Sequence, residues 1–494
     1  MARFNQKNND KAPNQADFPA FRMKEKEQLA AAALTTLFGE QKYYGSTDIG
    51  LVRLATRCAV TDPDFLLRLA AYARNEANLR TVSHVLTSVI AREAPKYTRA
   101  AVRNVVVRGD DITEIMACYL SLYGKPFPNA LKRAVANAVR GFDEYALAKY
   151  AGRGRALKMR DVLRITHPKP RDEKTAALFK KVLDGTLETP YTWETELSER
   201  GSTAEVWNDL IASGRVGYMA LMRNLRNIVK TGADLSPGLA LLSDPEQVKK
   251  SRQLPYRFFS AYAALRDEDL LTPQILETLE KALEASSADM ETIPGRTLIA
   301  VDVSGSMRSP VSAKSAVRCR DIACLLGVMS SRLCEDAEVC YFDMPGRSSA
   351  LPSGRGYEIR RYKRTDPILP NCGTGWFRGG GTQMDLPLLY ALEEDPEAAK
   401  RPFDRVIYFS DNQCNHSRGG FRQTVQVTAD QYREKYNPDL WVHAVDLMGY
   451  GTQQFVGPRF DLIAGWSERV LPFITLAEKG LDTLVDHISR YSVK

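Results

Sequence analysis

The stretch Thr297-Leu298-Ile299-Ala300-Val301-Asp302-Val303-Ser304-Gly305-Ser306-Met307 decides how the chain is read. It begins as a short apolar run with the length and β-branching of a buried strand. Asp302, Ser304 and Ser306 then fall where that strand ends and a Gly-containing loop begins. In an open α/β sheet this end of the strands is where ligands bind. Alternate oxygen-bearing side chains on a tight loop can converge on one point, and hard oxygens suit Mg2+. The same residues also make an ordinary strand-end turn, because Asp, Ser and Gly are all turn formers.

Two later segments favour the metal reading. Gly379-Gly380-Gly381-Thr382 is expected to open a helix, with the Thr382 hydroxyl at its N-terminus. Arg405-Val406-Ile407-Tyr408-Phe409-Ser410-Asp411-Asn412 reads as another buried strand ending in a carboxylate. In this order, the three pieces resemble the metal-ion-dependent adhesion site of a von Willebrand factor A domain. The resemblance implies Asp302, Ser304, Ser306, Thr382 and Asp411 as ligands of Mg2+ or another divalent cation. A coordination position left open would take an acidic group of a partner, which makes the site a docking point.

A chain of 494 residues exceeds one compact core, so two or three domains are expected. Its 44% hydrophobic and 26% charged content is that of a soluble globular protein. The polar, Asn-rich N-terminus lacks the apolar core of a signal peptide, and no run reaches the ~20 apolar residues of a membrane span. A cytoplasmic protein is expected. The eight cysteines contain no C-x-x-C pair, which supports neither a zinc ribbon nor a thioredoxin-like motif, and they read as buried thiols.

Charge is unevenly placed. Residues 1–300 hold 44 Lys and Arg against 36 Asp and Glu, whereas residues 301–494 hold 24 of each, so the whole net charge of +8 belongs to the first part. Residues 1–170 alone hold 28 against 16, an excess of +12. Such an excess is the footprint of a nucleic-acid or anionic-surface binder, or of a well-solvated helical surface.

Residues 1–18 read as a flexible polar tail, and from Phe21 to about Ala285 the sequence reads as helix after short helix. Asp62-Pro63 is a cap with proline at the first helical position, and Phe65, Leu66, Leu69, Ala70 and Ala73 follow on one face. Leu131, Val135, Ala138 and Val139 form another stripe, with Lys132, Arg133 and Arg140 off it. Many such helices with short turns suggest stacked pairs, as in α-solenoids, although no fixed-period repeat is present. Met290–Gly295 marks a boundary, after which strands alternate with helices at 315–333 and 429–436, the signature of a parallel sheet. Residues 343–378 read as a long irregular insertion with seven basic and three acidic residues.

A basic helical region followed by such an A domain resembles the Ro family of RNA-binding proteins with a TROVE module. The likeness extends to Thr203-Ala204-Glu205-Val206-Trp207, to Ala220-Leu221-Met222-Arg223-Asn224-Leu225-Arg226-Asn227, to Ser83-His84-Val85-Leu86 and to Phe409-Ser410-Asp411-Asn412. It implies a two-part fold: an all-α, HEAT-like helical-repeat ring over residues 19–294, then a doubly wound α/β A domain over residues 295–494. It further implies Y-like noncoding RNA on a basic outer face and single-stranded 3' ends of misfolded RNAs in the ring. Lys149-Tyr150-Ala151-Gly152-Arg153 and Leu163-Arg164-Ile165-Thr166-His167-Pro168-Lys169-Pro170 match the segments that carry those contacts, which makes Lys149, Arg153 and His167 the candidates, with Arg133 and Arg140 on the basic face. One extra residue falls between Arg153 and His167, so the register of the loop with Arg155 stays open. An exoribonuclease is an implied protein partner.

Residue chemistry agrees in kind, since Lys and Arg neutralise phosphates and His stacks on bases. His167 before Pro168 also closes a helix, and Arg223 or Arg226 also suits an interior pair with Glu205 or Glu194. The sequence has no H-E-x-x-H, Walker A or G-x-S-x-G motif, so a noncatalytic protein is expected. A protein-docking adaptor of an ATPase-type assembly and a metal-dependent nuclease are the other readings.

Overall fold

The computed structural model describes residues 11–14, 19–35, 49–149, 156–288, 290–310, 316–346, 349, 351–372, 380–417, 425–465, 470–479 and 483–494. The chain divides into two compact units, residues 37–216 with 486–494, and residues 1–36 with 217–485.

The first unit is helical. Asp62 accepts the Phe65 N–H at 3.0 Å and Pro63 occupies the first turn, so the helix Pro63–Asn75 starts where capping chemistry predicts. It buries Leu67, Ala71 and Tyr72 as well as the expected stripe. The next helix, Arg80–Glu93, is buried along Val82–Ala91, which explains why it shows no clean polar face. Residues 486–494, expected in the A domain, pack on this helical unit instead. The Tyr72 ring meets His487 and Tyr491 edge-on, and Lys494 N–H donates to Asn104 Oδ1 at 2.9 Å.

The second unit combines the helices from Tyr218–Thr231 to Pro273–Ser286 with an α/β sheet. Its described strands are β1 (Lys11–Pro13), β2 (Pro19–Arg22), β3 (Ile293–Asp302), β4 (Cys334–Phe342), β5 (Tyr357–Arg360), β6 (Arg405–Ser410), β7 (Trp441–Asp446), β8 (Thr452–Gln453) and β9 (Phe460–Ala464). The main sheet has the order β5-β4-β3-β6-β7-β9, parallel throughout except for β5, which pairs antiparallel with β4. The strands that flank the centre are buried on both faces, as a parallel sheet requires. On one face the helix Cys319–Leu333 lies close to β3, because a Cβ on Gly327 would meet Val301 Cγ2 at 2.5 Å.

Several expectations change. The 343–378 insertion is not irregular throughout, since it supplies the edge strand β5. Glu280 accepts the N–H groups of Ile368 and Leu369 at 2.9 and 2.6 Å, which anchors the insertion to the helix Pro273–Ser286. The strand β9 lies beyond the predicted strands. Part of the stretch read as a flexible tail is placed: β1 pairs with β2, β2 pairs with β8, and Asn14 Nδ2 donates to the Cys414 carbonyl at 2.6 Å. Residues 1–10 and 15–18 lie outside the described residues.

At the amino end of β3, Arg296 is buried with Glu338 and Asp395 at 2.5 and 2.6 Å and lies under the Phe403 ring. These charges are mutually satisfied and hold strand ends together. The opposite, carboxyl end carries the unsatisfied ones.

Candidate functional site

Asp302 closes β3 and is fully buried. Its Oδ1 accepts the Ser304 N–H at 2.9 Å and its Oδ2 accepts the Ser410 hydroxyl at 2.6 Å. The Ser304 and Ser306 hydroxyls lie 3.3 Å apart on the loop that follows. Asp411, one residue past the end of β6, receives the Gln413 N–H on Oδ1 at 3.0 Å, while its buried Oδ2 has no hydrogen-bond partner among the described residues. The third loop is tied on by Gly305 N–H to Gly380 C=O at 2.8 Å. A Cβ on Gly305 would meet that same carbonyl oxygen at 3.1 Å, so glycine permits the approach. Thr382 is buried in this loop, held by Asn415 Oδ1 on its N–H at 2.9 Å.

Thr382 is not at a helix N-terminus, contrary to expectation. The helix starts at Leu386, with Asp385 at the capping position. Thr382 is placed instead by a strap of backbone and side-chain bonds to Asn415 and His416. The predicted residues Asp302, Ser304, Ser306, Thr382 and Asp411 thus lie on three loops at the carboxyl edge of β3 and β6.

The electrostatics of this edge are unfavourable without a cation. Burial and then the charge of Asp411 push the Asp302 carboxyl up to about 7, and burial pushes Asp411 up to about 6. Asp446, at the end of β7, is also buried, has an Oδ2 without a hydrogen-bond partner among the described residues, and is pushed up to about 6 by burial. The two buried carboxylates of Asp302 and Asp411 with the adjacent Ser304 and Ser306 hydroxyls form a hard-oxygen donor set whose charge a divalent cation would neutralise, whereas no group of three carboxylates, imidazoles or thiols at metal-binding spacing occurs among the described residues. Asp446 was absent from the sequence reading. Its signal is the apolar run Trp441–Val445 ending in Asp, the pattern already used for Asp411.

In the helical unit, Lys149 is exposed at the end of the helix Glu144–Lys149, its Nζ 5.6 Å from the Tyr145 ring centre. His167 is exposed and does close a helix: it sits in the left-handed region at φ 45°, and its N–H bonds Leu163 C=O at 2.9 Å. Its ring is left at the surface by that cap. Arg133 is exposed on the helix Asn129–Val139. Arg140 is half-buried, bonding Ala136 C=O at 3.2 Å and the Asn137 side chain, and Arg171 donates to the Arg140 carbonyl. Arg153 and Arg155 lie outside the described residues. For Arg226 the interior pair does not hold, since it pairs with Glu268 at 3.1 Å, and Glu205 faces Arg200 at 3.7 Å.

The TROVE domain model matches residues 27–189 and 185–302, and the Ro60 vWA domain model matches residues 296–445. The chain belongs to the Ro family. Among relatives, Telomerase protein component 1 of Rattus norvegicus is 25% identical over 330 residues, 48% of this chain and 12% of that protein. RNA-binding protein RO60 of Deinococcus radiodurans is 24% identical over 355 residues, 62% of each chain. The chain thus spans less than two thirds of the length of these relatives. The crystal structure of the Deinococcus radiodurans Ro (RSR) protein matches with a TM-score of 0.60 at 20% identity, covering 94% of this chain and 99% of that one, which establishes the shared fold.

Within the TROVE region of this Ro-family chain, a buried charge network that the sequence reading does not include centres on Asp111. Asp111 accepts Arg74 at 3.0 Å, Arg80 at 2.7 Å, His84 Nε2 at 3.0 Å and the N–H groups of Val107 and Arg108 at 2.9 and 2.8 Å. Burial alone would raise its pKa, but these donors hold it far below the usual carboxylate range. Gly109-Asp110-Asp111 in the first turn of an apolar helix is the signal that marks it, with His84 lying in a segment that already resembled the family.

Proposed function

We propose that the chain is a noncatalytic RNA-binding protein of the Ro type, acting in the cytoplasm as a scaffold or chaperone in RNA quality control. The TROVE region binds a Y-like noncoding RNA on its basic surface, through groups such as Arg133 and Arg140. Single-stranded 3' ends of misfolded RNAs enter a ring and meet Lys149, Arg153 and His167. The observation that carries this reading is the +12 excess within residues 1–170. That excess falls on the helical module of a family whose relative in Deinococcus radiodurans is named an RNA-binding protein. Cations spaced along such a surface bind phosphates by releasing counterions, independent of sequence.

In the A domain, Mg2+ or another divalent cation is held by Asp302, Ser304, Ser306, Thr382 and Asp411. When bound, the cation supplies a Lewis-acidic position for an acidic group of a protein partner, such as an exoribonuclease. The buried Asp411 Oδ2, without a partner among the described residues, favours this occupancy, and it also supports a second reading in which metal-dependent protein docking is the main activity.

A gel-shift titration at two salt concentrations separates the two. An RNA helix with a single-stranded 3' tail is compared with the blunt helix, on wild type and on Lys149→Ala/Arg153→Ala/His167→Ala. Tail-dependent binding that weakens with salt and in the triple variant is expected. Equal or absent binding to both RNAs would move the weight to protein docking, tested next with Asp302→Ala.

A further inference from the structure

We infer that the second unit holds a site for a small amphipathic monocarboxylate, in a cavity bounded by the 343–378 insertion and by the helices Pro273–Ser286 and Cys319–Leu333. The cavity measures about 230 Å3. Met290 and Thr292 line it just before β3 begins, and Arg332 and Leu333 line it just before β4. It therefore sits at the amino ends of these strands, on the sheet edge opposite Asp302 and Asp411. Neither the RNA-binding reading nor the cation site enters the inference.

The charge of the lining selects the head group. Arg332 Nη2 donates to Glu284 Oε1 at 2.9 Å, and Arg332 Nε donates to the Arg364 carbonyl at 2.9 Å. These bonds hold the Arg364 backbone at the cavity wall, yet its exposed guanidinium has no hydrogen bond or ion pair among the described residues. Arg332 and Glu284 offset each other, so one positive charge is left over. Both helices also end here, and their terminal carbonyls disfavour a doubly charged group such as a phosphate ester. A carboxylate matches this single charge, and a guanidinium takes it through two parallel N–H bonds.

The rest of the lining selects the body. Met329 and Ile368 are each 2% exposed, with half-buried Met290 and Leu333 beside them. A bare anion would leave this wall against water, whereas an apolar group covers it. Methionine side chains adjust to an irregular guest. The volume lies below the ~300 Å3 at which pockets begin to take drug-sized ligands, so the body is a single ring or a short branched chain.

The test is ligand-observed fluorine NMR on the full chain, with 4-fluorobenzoate as the probe and 4-fluorobenzamide as its uncharged counterpart. EDTA is present throughout, so that no divalent cation at the opposite edge can take the carboxylate. A ligand of about ten non-hydrogen atoms is expected to bind with a Kd on the order of 1 mM, and the amide about tenfold more weakly. Arg364→Gln is expected to weaken the acid by about tenfold, through the lost charge-assisted bonds. Ala288→Trp fills the cavity from its exposed rim and is expected to weaken both probes by at least about tenfold. Lys363→Gln is the control, at an exposed neighbour of Arg364 that does not line the cavity, and is expected to bind within about twofold of wild type. All three positions are exposed, so the variants are expected to melt with the wild type. No binding of 4-fluorobenzoate at about 10 mM, ten times that Kd, overturns the site. Equal binding of acid and amide overturns the carboxylate head, and equal loss in Lys363→Gln and Arg364→Gln reduces the effect to general surface charge and overturns the cavity.

Discussion

The Ser410 hydroxyl donates to Asp302 Oδ2 at 2.6 Å, across the two central strands β3 and β6. This bond fixes one oxygen of a carboxylate whose burial and whose neighbour Asp411 both oppose its charge. Asp302→Asn removes that repulsion. In EDTA the variant is expected to melt at or above the wild-type temperature. Mg2+ should raise the wild-type melt, by the equivalent of about 2.7 kcal/mol at one hundred times its Kd, and leave the variant unmoved. Ser410→Ala is expected to cost about 1–2 kcal/mol. A wild-type melt unaffected by Mg2+, Mn2+ or Ca2+ would remove the cation.

Asp111 holds three cationic or ring donors and two backbone N–H groups in the interior of the helical unit. Replacing it with Ala leaves Arg74 and Arg80 without their shared carboxylate. Asp111→Ala is expected to destabilise this unit by about 3–5 kcal/mol in urea denaturation. Asp111→Asn keeps an acceptor and is expected to lose less. Equal, small losses in both variants would show that solvent replaces the network readily.

The clustering of Asp302 and Asp411 was legible because strand ends are written locally: an apolar run followed by Asp occurs at both, and the sheet brings such ends to one edge. The same logic covers Asp446, where no companion Ser or Thr drew attention. Thr382 lies beside the Asp302 and Asp411 loops without the helix N-terminus expected for it, because the bond to Asn415 that positions it joins residues far apart in sequence. The helical region was legible by period, yet its charges were not. Nothing local to Asp111 tells that Arg74, Arg80 and His84 arrive from two other helices. The edge strand β5 hides in a Gly- and Arg-rich segment, since an edge strand exposes polar side chains and loses the apolar run that marks a central one.

The N-terminal arm is expected to shield a thiol. Cys414 is fully buried, its pKa is pushed up to about 12 by burial, and Asn14 donates to its carbonyl at 2.6 Å. Ala20, Phe21 and Met23 of the arm are themselves buried. Phe21→Ala is expected to cost about 3 kcal/mol in the A-domain unit, and to loosen the arm so that Cys414 is alkylated faster than in wild type. Mass spectrometry of the labelled peptide assigns the site. Unchanged labelling of Cys414 would show that the arm does not guard it.

Glu478 sets the pH response of the A domain. Burial opposes its ionisation, but Arg405 at 2.6 Å and His443 at 3.1 Å outweigh burial and bring its pKa down to about 2. Its stabilising contribution is therefore complete above the ordinary Glu value of about 4.3, and is lost as pH falls toward about 2. His443 runs the other way. Burial lowers its pKa, yet Asp461 and Glu478 leave it raised, so its contribution is complete below the ordinary value of about 6.5 and fades as pH rises through the raised one. Glu478→Gln is expected to cost about 3 kcal/mol at pH 6, where both charges are present, with the gap to wild type narrowing below about pH 4. His443→Gln is expected to flatten the alkaline side of the profile while keeping the acid limb. Thermal melts of the wild type and the two variants from about pH 3 to 9 give the profiles. Parallel curves for all three proteins would mean that these buried groups exchange protons alike in the folded and unfolded chains.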